Sequence, residues 1–458
     1  MGYTNSSLSA EVNSIINDGP KNVHAYYRCE ITANGKVIPP LKIANLDIVG
    51  DYLNNFCDEV LLELFISQGT LEQDIIPYKE NLEITIFRSP VRENKDEADH
   101  DEDIKLLKGR LVYTGKEHNF FSIPNSNISK DGRDLVGILK TSFQVLNPIL
   151  ESLRMQSTGG IFRNTKCIDL MRMLLKSNTN NNDNDSEFKV KGVDIIEGYN
   201  DTVKNHINLP MGINSLEAID YINKNVEGIY PTGFGFYLKK DMWYIYPTYD
   251  TERFDKAKHT LTIIRIPQDT IPVIERSYLF KDKNLTIIVN SDVSLNDNSD
   301  IEQMNKGNGL RFTDANSIMD GFIKVDGNKA EASRGKNVSE FTSGNRETKM
   351  NNVRSPNGGI SSNMYYEMSK LAKRGGSQLN VIWHFSDSTL LYPGMPVKFV
   401  TMQGKSIVVL YGVLLYAHDV IALEGSGVMA KYHKADTMLS IFVNRKFKWN
   451  TEEEKDEI

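Results

Sequence analysis

Between His24 and Gly115 the hydrophobic and polar positions follow a strand pattern. Ala25 to Thr32 is rich in aromatic and β-branched residues, and Asn34-Gly35 behind it supplies the two residues that best accept the left-handed backbone of a tight hairpin. Further runs follow at Glu59 to Ser67, Leu82 to Arg88 and Leu106 to Tyr113. In Leu82 to Arg88 apolar and polar residues largely alternate, as a sheet with one wet face requires. These runs predict a first β-barrel domain over residues 24–130, preceded by an N-terminal extension at 1–23. Asn94 to Asp103, dense in Asp and Glu, reads as a hairpin tip held in solvent by self-repulsion.

The period then changes. Asp134 to Phe162 reads as extended and apolar-rich, after which Thr165 caps a helix carrying Ile168, Met171, Leu174 and Leu175 at helical spacing. Asn178 to Ser186, nearly all small polar residues, reads as a surface loop. A second helix over Leu216 to Asn225, with Ser215 as its cap, leads to a hairpin made of Phe234 to Leu238, a Lys239-Lys240-Asp241 turn, and Met242 to Pro247. These elements predict an α/β domain over 131–275. Strands at Leu261 to Pro267 and Leu285 to Val289 follow, and then residues 294–380 read as an irregular insertion or a partner-ordered segment, with a turn or two of helix at Tyr365 to Lys373. Strands return at Val381 to Phe385 and, behind the turn of Leu391-Tyr392-Pro393-Gly394-Met395-Pro396, continue at Ile407 to Ala417, Val428 to His433 and Met438 to Lys446. With residues 276–293, the stretch 381–449 predicts a second β-barrel domain, followed by an acidic tail at 450–458. The expected fold class is β-rich α+β, with two small β-barrels, an intervening α/β domain and a long irregular insertion.

Composition narrows the function. The 458 residues are 40% hydrophobic and 25% charged, within the globular range, and the formal charge of -7 disfavours a surface that grips nucleic acid. Cys29, Cys57 and Cys167 form no CxxC pair and no Cys/His spacing suited to zinc, so they read as reduced buried thiols. Met1 to Asp18 lacks the basic and apolar runs of a signal peptide, and Ile407 to Ala417 is too short for a membrane span. Synthesis and assembly in a cytoplasm are expected.

Catalytic signatures are missing: no GxSxG elbow, HExxH helix, P-loop or dinucleotide fingerprint occurs. The acidic cluster of Asp96, Glu97, Asp99, His100, Asp101, Glu102 and Asp103 lacks the glycine turn and ordered spacing of a calcium loop, so a solvated loop is the better reading. His384, Ser386 and Asp387 lie close together on an apparent strand that sends neighbours to opposite faces, which argues against a triad. The aromatics Phe236, Trp243, Tyr244 and Tyr246 have no basic groove beside them and read as packing rather than a base-stacking platform. No catalytic residue, metal site or cofactor is expected. A pair of carboxylates for glycoside hydrolysis leaves no sequence signature, so a virion-associated cell-wall or polysaccharide hydrolase is the rival reading.

The order of elements resembles the central baseplate hub proteins of contractile-tailed bacteriophages. The likeness runs from Ala25 to Trp449 and rests on the barrel opened by Tyr27-Arg28-Cys29-Glu30-Ile31-Thr32-Ala33-Asn34-Gly35, the capped helix before the Phe236 to Tyr246 hairpin, and the Pro393-Gly394 turn opening the last barrel. The long stretch 294–380 departs from it. The resemblance implies tail-tube-like barrels and a homotrimer whose paired barrels join a sixfold tail tube to a threefold central spike. Its implied partners are the tail tube protein, the central spike protein, the tape-measure protein and baseplate wedge proteins, with DNA passing through the channel without specific binding and without membrane insertion. The implied location is the virion, in the tail baseplate. A tube-terminating ring or a wedge protein is the alternative within that class.

Overall fold

The computed structural model describes residues 5–20, 25–38, 40–90, 104–114, 138–180, 189–198, 200–266, 276–290, 293–297, 323–326, 329–332, 363–374, 376–403, 406–425, 430, 432–444 and 448–450. The elements run, in chain order, α1 (Asn5–Asp18), β1 (Ala25–Ala33), β2 (Lys36–Ile38), β3 (Lys42–Asp51), β4 (Glu59–Ser67), β5 (Leu82–Pro90), β6 (Ile104–Tyr113), β7 (Ile138–Leu146), α2 (Pro148–Met155), β8 (Ser157–Lys166), α3 (Cys167–Asn180), β9 (Gly192–Ile195), β10 (Val203–Asn214), α4 (Ser215–Tyr221), β11 (Gly235–Lys239), β12 (Met242–Tyr246), β13 (Thr260–Arg265), β14 (Tyr278–Lys281), β15 (Asn284–Val289), β16 (Ser294–Asp297), β17 (Ile323–Asp326), β18 (Lys329–Ala332), α5 (Met364–Arg374), β19 (Gly376–His384), β20 (Pro396–Gln403), β21 (Ser406–Leu423), β22 (His433–Asn444) and β23 (Lys448–Asn450). The fold is β-rich, with the helices gathered mainly around β8 to β12.

Among the described residues sixteen strands form one sheet: fourteen in the order β14-β15-β13-β20-β21-β3-β4-β7-β6-β5-β1-β22-β19-β16, with β2 on β1, β23 on β21, and β21 also paired to β22. What the sequence presents as two separate strand modules is therefore one sheet wrapped around two cores. The first core gathers Tyr27, Ile31, Leu46, Leu62, Leu64, Ile84, Ile86, Phe143 and Ile421; the second gathers Leu261, Ile263, Leu285, Ile287, Trp383, Phe399, Leu414, Leu439 and Ile441. The 18-residue β21 and the 12-residue β22 serve both. Around the first core the ladders form a circuit whose last link, β1 to β22, is the single pair Ala25 with His433. Around the second, β14 is tied to β19 by side chains: Trp383 Nε1 donates to Ser277 Oγ (3.0 Å), and Ser277 Oγ donates to the Phe385 carbonyl (3.1 Å).

Local sequence explains most elements. Asn34 and Gly35 sit at φ 48° and 77°, the two left-handed positions that the Asn-Gly pair signals between β1 and β2. Lys240-Asp241 and Asp282-Lys283 make the same kind of turn without glycine, at φ 50° to 68°. In β3 and β4 burial alternates along the strand, matching one wet face. In β13, by contrast, Leu261 to Ile264 are all buried. It lies parallel to both β15 and β20, and while Leu261 and Ile263 face the second core, Ile264 packs with Ile288, Val400 and Ile407 under Leu8 and Ile15 of α1. The expected N-terminal extension thus includes a helix, because Leu8, Val12 and Ile15 recur at three- and four-residue spacing and cover that side of the sheet.

Other expectations need correction. The extended reading of Asp134 to Phe162 misses α2, whose start is signalled by Asn147, accepting from the Ile149 amide (2.9 Å), followed by Pro148 at the first helical position. Thr165 does not cap a helix; it lies within β8, which ends at Lys166, and α3 begins directly at Cys167. Asn214, not Ser215, caps α4, accepting from the Glu217 amide (2.8 Å). The stretch 294–380 is not wholly irregular, since β16 pairs with β19, which itself starts at Gly376, and α5 covers the short helix expected there. Val428 to His433 supplies only the first residue of β22; residues 428–429 and 431 lie outside the described residues, as do the acidic 94–103 segment and 181–186. None of the described helices is long and apolar enough to cross a membrane.

Because Ile441 is fully buried opposite Leu414 where β21 and β22 enclose the second core, Ile441→Ala is expected to lower unfolding free energy by about 2–5 kcal/mol and Ile441→Val by about 1 kcal/mol. Urea unfolding followed by tryptophan fluorescence measures both.

Candidate assembly face and the joint beneath it

The side chain that changes character along β21 is Asp419. Its inward neighbours are Ala417, in the second core, and Ile421, in the first. Asp419 is 4% exposed, and the Thr437 hydroxyl of the facing strand lies 2.5 Å from its Oδ1 and 2.6 Å from Ser386 Oγ. Burial pushes the Asp419 carboxyl up to about 6, against the hydrogen bonds of Ser388 and Thr437 and the charge of Lys239. Beside it Arg88 of β5 donates to Asp387 Oδ2 at 2.6 Å, with both side chains nearly buried. The other oxygen, Oδ1, accepts from the Thr389 hydroxyl (2.6 Å). Burial pushes the Asp387 carboxyl up, but Arg88 and Thr389 more than offset it and hold the group below its ordinary range. This polar belt lies where the two cores meet.

His433, at the start of β22, is a further buried titratable group. Its Nδ1 lies 3.4 Å from the Tyr27 amide, which donates to it, and its Nε2 lies 2.9 Å from the Ile43 carbonyl, so the ring serves as a neutral imidazole protonated at Nε2. Burial lowers its pKa to about 4.

The helical unit is bolted to both cores through β11 and β12. Tyr237 Oη donates to Asp58 Oδ1 (2.8 Å), Tyr246 Oη donates to the Tyr52 carbonyl (2.7 Å), and the Leu238 amide donates to the Phe56 carbonyl (2.7 Å), all in the connection between β3 and β4. Lys239 Nζ, almost buried, donates to Tyr52 Oη at 3.2 Å. On the other side, Gly394 at φ 64° lies so close to the Tyr246 ring that a Cβ there would stand 2.1 Å from it. That contact explains why the Pro393-Gly394 turn needs its glycine. Asn363 completes the attachment from the distal segment: Nδ2 donates to the Asn223 and Lys224 carbonyls, and Oδ1 accepts from the Gly228 amide (2.8 Å).

Above the joint the sheet presents an outer face that crosses both cores. Reading across β19, β22, β21, β3 and β4, one row runs Ile382, Met438, His418, Val49, Glu59, and the next His384, Asp436, Val420, Asp47, Leu61. Leu61 is 48% exposed and Ile382, Met438 and Val420 are about 40% exposed. Asp47, Asp51, Glu59, Glu63 and Asp436 are interspersed with Lys434 and two histidines, so the face is acidic with apolar islands. Such half-exposed, regularly spaced apolar residues suit a surface that another protein covers.

The residues weighed for catalysis do not converge. His384 projects onto the outer face and lies 3.1 Å from Asp436, Ser386 is buried against Thr437, and Asp387 is held by Arg88. Phe236, Trp243 and Tyr246 are buried in packing, as read from the sequence, while Tyr244 is partly open. Tyr244 borders a cleft of about 620 Å³ between the helical unit and the 392–396 turn, where His259 stacks on Tyr392 (4.6 Å) and Arg253 donates to the Gly394 carbonyl (2.9 Å). Among the described residues no group of three or more His, Cys, Asp or Glu side chains is placed to hold a metal ion. Cys29, Cys57 and Cys167 are free thiols, and burial pushes Cys167 up to about 11. The joint was missed from sequence because its members, Arg88, Asp387, Asp419 and Thr437, are remote in the chain; the one local signal was a charged Asp inside the apolar run of β21.

No family model matches the chain, and no curated protein matches it. Solved structures similar to it include the tail protein from Neisseria meningitidis MC58, at 11% identity over 91% of this chain and 96% of that one, with a TM-score of 0.43. The 43 kDa tail protein of prophage MuSo2 from Shewanella oneidensis is similar at 8% identity over 90% and 96%, with a TM-score of 0.45. An E. coli component of the type VI secretion system, itself structurally similar to the T4 bacteriophage tail proteins gp27 and gp5, is similar at 8% identity over 91% and 77%, with a TM-score of 0.41. Identities of this size carry no side-chain role from those proteins to this one.

Two measurements probe the joint. Arg88→Met leaves Asp387 buried without its cation and is expected to cost about 3–5 kcal/mol, whereas Arg88→Met with Asp387→Leu recovers most of it, as denaturant titration of both variants reads. For Asp419 the folded pKa is raised, so its stabilising effect is complete below the ordinary value of 3.8 and is lost as pH rises to about 6. His433 has the opposite sign, stabilising above 6.5 and ceasing to do so as pH falls to about 4. Asp419→Asn should therefore gain on the wild type by on the order of 3 kcal/mol between pH 4 and pH 7, and His433→Gln should lose less stability than the wild type over the same acidification.

Proposed function

We propose that the chain is a structural, self-associating subunit of a phage-type tail baseplate, acting as the hub between a sixfold tail tube and a threefold central spike. The observation that carries this reading is that one sheet encloses two β cores through the shared strands β21 and β22. Two barrel-like units held in fixed relation within each subunit let three subunits present six similar faces to a tube and three whole chains to a spike. The outer face crossing both cores supplies area for such contacts, and the charge of -7 suits a channel through which DNA passes without being retained. The proposed partners are further copies of the chain, the tail tube protein, the central spike protein, the tape-measure protein and wedge proteins, and the proposed place is the virion. No catalytic residue and no cofactor enter this reading.

Light scattering on the purified chain over a range of concentrations, alone and with a spike protein, tests it. A species with the mass of three chains is expected; a monomer at every concentration and in both conditions overturns the proposal.

A further inference from the structure

β8 and β10 form a two-stranded ribbon that pairs, among the described residues, with no other strand. One of its faces carries Ile207 and Leu209 into the core beneath α2, α3 and α4. The opposite face turns Ile161 outward opposite Asn208, Arg163 opposite His206, and Thr165 opposite Lys204. At the register shift between Leu209 and Ile213, Gly159 lets the bulge lie against β8, since a Cβ there would stand 2.8 Å from the Pro210 carbonyl. The bulge sets Met211 85% exposed; Ile161 is 65% exposed and Met155, at the end of α2, 84%. The ribbon is thus an apolar tip bordered by Arg163, His206, Lys204 and Lys166, with Asp201 and Glu227 paired to the two lysines.

This is the complement of the outer face at β3 and β4, where Leu61 and Val49 stand among Asp47, Asp51, Glu59 and Glu63. In its own subunit the ribbon packs chiefly on the helices. We infer that the outward face of the ribbon docks on the β3–β4 part of the outer face of a second copy of this chain, with Ile161 and Met211 against Leu61 and Arg163 among Glu59 and Asp47. Each copy offers one patch of each kind, so the contact is head to tail, and repetition closes a ring when the rotation between copies allows it. The inference rests on the proposed self-association and names the surfaces that carry it.

Charge reversal tests it with the full chain in analytical ultracentrifugation. Arg163→Glu and Glu59→Arg, both at exposed positions, are each expected to weaken self-association at least tenfold at low salt, and the double variant R163E/E59R to return it to within about threefold of the wild type. An Ile161→Cys/Leu61→Cys double variant should form disulfide-linked multimers under mild oxidation, which neither single variant forms. If the wild type associates and Arg163→Glu associates equally well, or the double variant does not recover, the docking surfaces are wrong while the hub reading stands. A wild type that stays monomeric at every concentration, alone and with a spike protein, overturns both.

Discussion

The rest of the structure depends on two strands being shared between two cores. β21 and β22 hydrogen-bond to each other over most of their length, and each changes allegiance, at Asp419 toward the end of β21 and at Thr437 in the first half of β22, from second-core residues such as Leu414 and Ile441 to first-core residues such as Ile421 and the flanking Ala435. A strand cannot serve two hydrophobic cores without an inward position between them, and here that position is Asp419, facing Thr437. Burying a carboxylate there is costly unless it is hydrogen-bonded or protonated. The neighbouring hydroxyls and the raised pKa of Asp419 meet that demand locally. Arg88 and Asp387 extend the belt to β5 and to the connection behind β19. An apolar boundary would be more stable by itself, but it would let the cores slide or merge; a polar belt with fixed partners specifies where one ends and the other begins.

The same logic places the helical unit. It hangs from β7 at one end and β13 at the other, yet its firmest attachments are hydroxyl groups of Tyr237 and Tyr246 reaching the connection between β3 and β4, with Gly394 pressed on the Tyr246 ring. Aromatic side chains with a polar tip suit this task, since the ring fills space between modules while the hydroxyl fixes orientation. Their near-complete burial is incompatible with a stacking platform for bases or sugars, and the hairpin is a bolt between first core, second core and helices.

How much of this was legible in the sequence follows from the range of the interactions. Alternation in Leu82 to Arg88, the Asn34-Gly35 turn and the helical spacing from Ile168 to Leu175 are local, and the corresponding elements are present. The cap at Asn214 was one residue from the expected Ser215 because both residue types cap well and only geometry chooses. Lys42 to Asp51 alternates as clearly as its neighbours, and α2 carries an Asn-Pro start, so those two were readable and went unread. The shared strands were not: β21 and β22 differ from ordinary strands in length and in the Asp inside β21, and a sequence cannot show that one end of a strand faces a different core from the rest. Apart from that Asp the joint is hidden for the same reason, since Arg88 and Asp387 are 299 residues apart.

A sheet bent around two cores leaves a long outer face, and its composition bears on what the molecule does. Single exposed apolar side chains are normal on a wet surface, but Leu61, Val420, Met438 and Ile382 stand half-exposed in two adjacent rows, and such clustering is what marks a surface suited to being covered. A face meant for permanent burial would lack Asp47, Glu59 and Asp436. The mixture suits the proposed assembly: apolar islands that would gain from being covered, inside a mainly acidic field that favours the approach of a basic surface. Since the face spans both cores and the joint beneath fixes their relation, with Arg88 paired to Asp387, a partner that covered the face would meet two β units in one orientation.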